Sequence, residues 1–123
     1  VLIDQSGTGK VSYVEPIELV SLNNDLAELT AVSKLFKPGT PIYSSKSYTG
    51  HTLGAAGAIE CVFSLIGLNK GQVYPSLNVE KPLKVKSLQV NQVLLESKDV
   101  KYALSNSFGF NGNSTSLIIA KKE

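Results

Sequence analysis

Lys46-Ser47-Tyr48-Thr49-Gly50-His51-Thr52-Leu53-Gly54-Ala55-Ala56-Gly57-Ala58-Ile59-Glu60 is the stretch on which the reading of this chain turns. It holds the only histidine of the 123 residues. Just before it, Pro41-Ile42-Tyr43-Ser44 follows the breaker Pro38-Gly39 and carries the β-branched and aromatic residues of a short strand. From Thr52 to Leu68 apolar residues such as Leu53, Ile59, Val62, Leu65 and Leu68 fall almost all round a helix, so the pattern predicts one buried on most sides. The glycines of the stretch would let its first turns lie close against another backbone. Lys46, His51 and Glu60 therefore put ionisable groups around one helix N-terminus, and burial makes ions costly unless they are paired. Two plain alternatives stand beside a catalytic one: a histidine satisfied at the surface, and an ordinary exposed ion pair worth little.

Composition sets the bounds outward from there. One domain of 123 residues with 42% hydrophobic and 18% charged residues is globular in type. The net charge is only +2 and all twelve basic residues are lysines, scattered along the chain. With no arginine fork to read phosphate or guanine, nucleic acid is not an expected partner. A single cysteine, Cys61, excludes an internal disulfide framework and suits a reducing compartment. No apolar run is expected to span a membrane and no signal-like start precedes one, so a soluble, cytoplasmic chain is expected. No cofactor or metal ligand set is evident.

Val1-Leu2-Ile3-Asp4 opens without an initiator Met, as if cut from a longer chain. Ser6-Gly7-Thr8-Gly9-Lys10 invites a phosphate-loop reading, but that motif needs Gly where Asp4 stands and Ser or Thr where Val11 stands. It reads better as a loop feeding a strand over Val11–Glu15. Asn23-Asn24-Asp25 followed by Leu26, Leu29, Val32 and Phe36 predicts an amphipathic helix from about Asp25 to Phe36, stopping before Lys37-Pro38. Its acids Asp25 and Glu28 fall in the first turn, where the helix dipole favours them. Asn69-Lys70-Gly71 reads as a helix stop, Lys81 to Lys86 as a basic loop, and Val90 to Glu96 as extended chain. Val100–Ser105 and Ser114–Ala120 read as strands around a glycine- and asparagine-rich turn, Asn106 to Ser114.

Lys-Ser-x-Thr-Gly-His-Thr-Leu-Gly-Ala-Ala-Gly-Ala-x-Glu resembles the second-histidine motif of the β-ketoacyl-acyl-carrier-protein synthases, the condensing enzymes of fatty acid and polyketide assembly. Tyr13-Val14-Glu15 and Asn24-Asp25-Leu26-Ala27-Glu28 are similar, with equal spacing, to the family's Tyr-Val-Glu and Asn-Asp-x-x-Glu segments. Val73-Tyr74-Pro75-Ser76-Leu77-Asn78 resembles its extended Pro-rich segment, and Asn106-Ser107-Phe108-Gly109-Phe110-Asn111-Gly112 its gating loop beside the nucleophile. Between the first two matches Ile17 stands where the family has its first active-site histidine, and Glu18-Leu19-Val20-Ser21 replaces Gly-Thr-Gly-Thr.

The resemblance implies an α/β, thiolase-like fold of stacked α-β-α-β-α layers, of which residues 1–123 are most of the C-terminal half, a mixed sheet with packed helices. The nucleophilic cysteine would lie in an N-terminal half absent here, and Cys61, inside the central helix, would behave as a small hydrophobe. By the same resemblance His51 is the second histidine, Lys46 its supporting lysine and Glu60 the acidic partner. Asp25 and Glu28 are supporting acids. Phe110 is gate and oxyanion residue, with Phe108, Gly109 and Gly112 forming its loop. The implied partner is an acyl carrier protein bearing a phosphopantetheine-bound acyl or malonyl thioester, in a homo- or heterodimer. The implied activity is acyl transfer of the β-ketoacyl synthase type, with condensation impaired because Ile17 cannot donate a hydrogen bond. The alternative is a non-catalytic, chain-length-factor-like partner of a heterodimeric synthase.

Overall fold

The computed structural model describes residues 13–15, 22–82, 84–86, 88–109 and 112–122. The loop expected at Ser6–Lys10, the substitution at Ile17 and the gate residue Phe110 lie outside them.

Strand β6 (Tyr102–Phe108) organises the rest. It pairs in parallel with β1 (Tyr13–Glu15) and antiparallel with β7 (Ser114–Ala120), giving a mixed sheet of order β1-β6-β7. Successive strand side chains point to opposite faces, and both faces are covered. Ala103 and its cross-strand neighbour Ile119 pack with Tyr43, Leu68, Val73 and Val100 on one side. Leu104 and Ile118 pack with Leu29, Val32, Ile42 and Leu88 on the other. Helix α3 (Ala56–Lys70) lies against the first face and helix α1 (Leu22–Leu35) against the second, so the described chain is an α-β-α sandwich. Helices on both faces explain why Ala103 to Asn106 are all buried, a continuous run rather than an alternation.

Helix α1 presents Leu29 and Val32 inward, one turn apart, with Asp25 in its first turn and Lys34 in its last, as the dipole favours. It begins earlier than predicted and stops before Pro38, which disfavours a helical conformation at the residue preceding it. Pro41–Ser44 is not a strand. Ile42 makes one parallel bridge to Val90, its carbonyl accepts from Asn91 N at 2.6 Å, and Ser44 N donates to the Ser76 hydroxyl at 2.9 Å. Lys46–Thr49 forms the single turn α2. The basic loop is a tight hairpin of β3 (Lys84–Val85) and β4 (Leu88–Gln89), and β2 (Gln72–Val73) pairs with β5 (Leu95–Glu96). Strand β6 runs through Phe108, so Asn106 and Ser107 belong to the ladder rather than to the turn.

Helix α3 corrects the expectation of burial on most sides. It follows a 3-10 turn (Leu53–Ala55), and its buried stripe is Ala56, Glu60, Ser64, Gly67 and Leu68. Val62, Leu65 and Ile66 face outward, Val62 with 53% of its surface exposed. The sheet covers one side of the helix, and among the described residues nothing covers the other. Leu53–Lys70 is also, by length and composition alone, apolar enough to cross a membrane, a test that the core helix of a globular fold passes too. Glu60 stands near its middle, a charge that a bilayer interior would penalise. Of the glycines in the opening stretch, only Gly57 makes a close approach: a Cβ there would lie 2.9 Å from Ser107 Oγ of β6, a side chain rather than a backbone.

Gly71 ends α3 in the left-handed region (φ +67), its N–H reaching the carbonyls of Gly67 and Leu68, as the stop signal predicted. A Cβ at this position would sit 2.6 Å from the Ser97 carbonyl oxygen, whereas at Gly39 (φ +83) it would meet nothing. Gly39→Ala is therefore expected to cost only the backbone term of about 1 kcal/mol, and Gly71→Ala clearly more. Denaturant titration of both variants in the full-length protein checks this. Equal losses would mean that the Ser97 contact does not constrain the helix end.

Candidate active site

Ser45 is buried, and the single turn of α2 that follows it carries the Lys46 side chain inward, where Nζ lies 2.7 Å from Glu60 Oε1. The two side chains are 5% and 2% exposed. Removing two charges from water is repaid only by a close partner, so each group makes the other tolerable. Glu60 Oε2 has no hydrogen-bond partner among the described residues. Burial pushes the Glu60 carboxyl above its ordinary value of 4.5, and the opposing pull of Lys46, and more weakly of His51, does not cancel it. That influence ties His51 to the pair electrostatically.

His51 itself is exposed, in the bend between α2 and the 3-10 turn. Its Nδ1 accepts the backbone N–H of Leu53 at 3.0 Å. A neutral imidazole that accepts at Nδ1 carries its proton on Nε2, so the second nitrogen is a donor. The turn that achieves this holds Leu53 at φ +52, a region a leucine adopts at a cost of order 1 kcal/mol or more, and such strain clusters at working sites.

A cleft of about 740 Å³ opens beside His51, within the range of small-molecule sites. Glu28 and Ala31 of α1 form one wall, Phe108 at the end of β6 with Gly109 and Gly112 of the turn after it another, and Leu53 stands with His51. The turn is closed by Gly109 N donating to Asn113 O at 2.7 Å, with Gly112 at φ +80. Glu28 is buried, and its Oε1 accepts from Asn106 Nδ2 at 2.9 Å; Asn106 Oδ1 in turn accepts from Ser116 Oγ at 2.8 Å.

The structure thus divides the predicted site. His51, Glu28, Phe108, Gly109 and Gly112 share the cleft. Lys46 and Glu60 form a buried pair that does not line it, and Asp25 is buried one turn before Glu28 without lining it. Cys61 is half-buried in α3, also away from the cleft. Sequence reasoning missed Asn106 as the partner of Glu28, Ser116 as the partner of Asn106, and Leu53 as the partner of His51. Asn106 could have been found from strand alternation, since it lies two residues from Leu104 and so on the same face. The Pro-rich segment is tied to α2, Tyr48 Oη donating to Pro75 O and Leu77 N to Ser47 Oγ.

Comparison with known proteins identifies the family of the chain. Residues 3–80 match the family described as beta-ketoacyl synthase, C-terminal domain. The 3-oxoacyl-[acyl-carrier-protein] synthase 1 of Buchnera aphidicola subsp. Baizongia pistaciae is 40% identical over 116 residues, covering 87% of this chain and 28% of that protein. The crystal structure of a beta-ketoacyl synthase from Burkholderia phymatum superposes with a TM-score of 0.80 at 32% identity, over 92% of this chain and 28% of that one. A type II polyketide synthase acyl-carrier protein in complex with its ketosynthase gives a TM-score of 0.83 at 31% identity, over 94% of this chain and 29% of that one. The chain spans about a quarter to a third of the length of these relatives.

Two outcomes follow for the buried pair. Lys46→Met alone leaves the Glu60 carboxylate buried without its counter-ion and is expected to cost about 3–5 kcal/mol in unfolding free energy. Glu60 has a raised folded pKa, so its charged form is the penalised one. Its contribution to stability is therefore lost as pH rises from 4.5 through that folded value. The unfolding free energy of the parent minus that of Glu60→Gln should fall across this window, measured by denaturant titration at successive pH values. A difference that rises with pH would mean that the carboxylate is favoured where it sits.

Proposed function

Since the chain belongs to the β-ketoacyl synthase family, as its C-terminal domain, we propose that it supplies the enolate-stabilising half of an active site that handles acyl thioesters on a carrier protein. The observation that carries this reading is the His51 imidazole, held by Leu53 N–H so that Nε2 is the donor, at the edge of a cleft of ligand size.

The chemistry needs a thiolate to hold the acyl chain and a donor for the enolate formed as a malonyl thioester loses CO2. In that step the bond to the departing carboxylate breaks and its electron pair moves onto the thioester, building negative charge on the oxygen. The His51 Nε2–H is the donor for that oxygen, and the enolate carbon then attacks the enzyme-bound acyl thioester, expelling the thiolate. That thiolate comes from an N-terminal half of the same polypeptide. The outward apolar face of α3, with Val62, Leu65 and Ile66, is where that half packs. Phe110 gates the entrance, and its backbone N–H serves the acyl oxyanion. The Lys46–Glu60 pair fixes the field around His51.

Ile17 is the departure with consequences. An apolar side chain where the family has its first active-site histidine leaves the enolate with one fewer hydrogen bond, and loss of one such donor costs on the order of a hundredfold or more. The protein is therefore an acyltransferase of the synthase type that condenses poorly. A silent, chain-length-factor-like partner subunit is the second reading, and the intact His51, Lys46 and Glu60 argue against it, because a subunit without chemistry has no need of them.

In the full-length protein, His51→Ala should lower malonyl decarboxylation on the order of a hundredfold, followed as CO2 release from malonyl-carrier thioester. Unchanged decarboxylation would remove His51 from the mechanism. Ile17→His should raise condensation product by a comparable factor, and no rise would mean that Ile17 is not what limits the reaction.

A further inference from the structure

Lysines collect at the corner where the end of α1 meets the β3–β4 hairpin, and decarboxylation at His51 makes no use of them. Phe36, just past α1, and Val85 of β3 pack against the same core cluster of Leu29, Val32 and Leu88. Lys34 and Lys37 stand beside Phe36, and Lys84 and Lys86 flank Val85; all four are exposed, as is Lys81 at the foot of the hairpin. Burying two apolar side chains from distant segments thus brings their charged neighbours to one corner. Among the described residues none of the five lysines is in an ion pair, and Glu80 is the acid nearest to them in sequence. Removing these five from the net charge of +2 leaves the rest of the chain at −3, so the positive charge of the molecule is concentrated here.

Like charges held together repel, so the cluster is not explained by folding. The helix dipole accounts for Lys34 alone. Lys86 is the plainest case, because it opens the two-residue loop between Val85 and Leu88 at φ +55. Asn or Gly adopts that conformation freely in such a turn, whereas lysine does so at a backbone cost that keeps an ammonium at the hairpin tip. The corner also adjoins the cleft. Ala27, Ala31 and Lys34 share one face of α1; the two alanines line the cleft, and Lys34 lies about 4.5 Å farther along the axis than Ala31.

We propose that this corner is a docking surface for the carrier protein, its lysines meeting an acidic face of that partner while the thioester arm passes along α1 into the cleft. The proposal rests on the reading given under Proposed function. A carrier brings the phosphodiester of its phosphopantetheine, a fixed negative charge at the root of the arm, and a lysine cluster draws such a partner in from a distance. Exposed ammonium groups suit that use, since charges at the rim of an interface act on association and are screened by salt.

The test combines Lys34→Glu, Lys84→Glu and Lys86→Glu in the full-length protein and compares a malonyl thioester on holo-acyl carrier protein with the same thioester on free pantetheine. KM for the carrier-borne substrate is expected to rise about tenfold or more, with kcat and the pantetheine thioester unchanged, and about 0.5 M salt should narrow the gap to the parent. Each single variant should give part of the rise, and arginine at all three positions, which keeps the charge, should keep the parental KM. A parental KM for both substrates, or an equal rise for both, overturns the proposal. If the parent turns over neither thioester, the reading as a condensing centre fails, and calorimetric titration with the carrier protein decides. Weaker carrier binding by the glutamate variant than by the parent then upholds the docking surface, and equal binding, or none by the parent, overturns it. Loss of binding to anionic phospholipid vesicles with carrier binding unchanged would assign the corner to a membrane surface and equally overturn it.

Discussion

Strand β6 is covered on both faces, and the two-residue alternation of a strand then decides which side chains can meet. Ala103 and Ser107 turn towards α3, where Ser107 lies against Gly57 at the start of that helix. Leu104 and Asn106 turn towards α1, where Leu104 fills the core and Asn106 receives the Glu28 carboxylate. The same alternation brings Phe108, at the end of the strand, into the cleft beside Glu28. A slip of one residue in the β6–β7 register would exchange these faces entirely, so the apolar pairing of Ala103 with Ile119 and Leu104 with Ile118 also holds the site together.

The polar groups near the site fall into two layers with different physics. The Lys46–Glu60 pair is buried, and such a pair is poor evidence for stability because desolvation offsets its attraction. Under the proposed function it serves as a fixed field beside His51, at a desolvation cost to the fold. The raised carboxyl of Glu60 is the mark of that cost. His51, by contrast, is exposed and held only by a backbone N–H, at the expense of a left-handed leucine. Under the proposed function, a group that offers a proton to a reacting atom has to remain accessible, while the charges that tune it do not.

The outward face of α3 follows the same logic at the level of the fold. A helix that is apolar nearly all round needs cover on more than one side. Here the sheet takes the small and polar stripe through Glu60, Ser64 and Gly67, leaving Val62, Leu65 and Ile66 bare. The relatives this chain matches are roughly three to four times its length, so most of their residues have no counterpart here.

Much was legible in the sequence alone, because its signals were local. The motif around His51, the helix stop at Gly71, the amphipathic α1 and the bounds of β7 each depend on residues within a few positions of one another. The resemblance carried by those motifs also implied a mixed α/β fold, and the family match agrees. Tertiary structure alone decided the rest. Periodicity indicates that α3 is apolar but not which side a sheet will cover, and it cannot tell a strand at Ile42 from a single bridge. Glu28 and Asn106 stand 78 residues apart and meet only because two layers close on β6. The proton on His51 is likewise set by where the Leu53 N–H points, a matter of backbone geometry that side-chain identity does not encode.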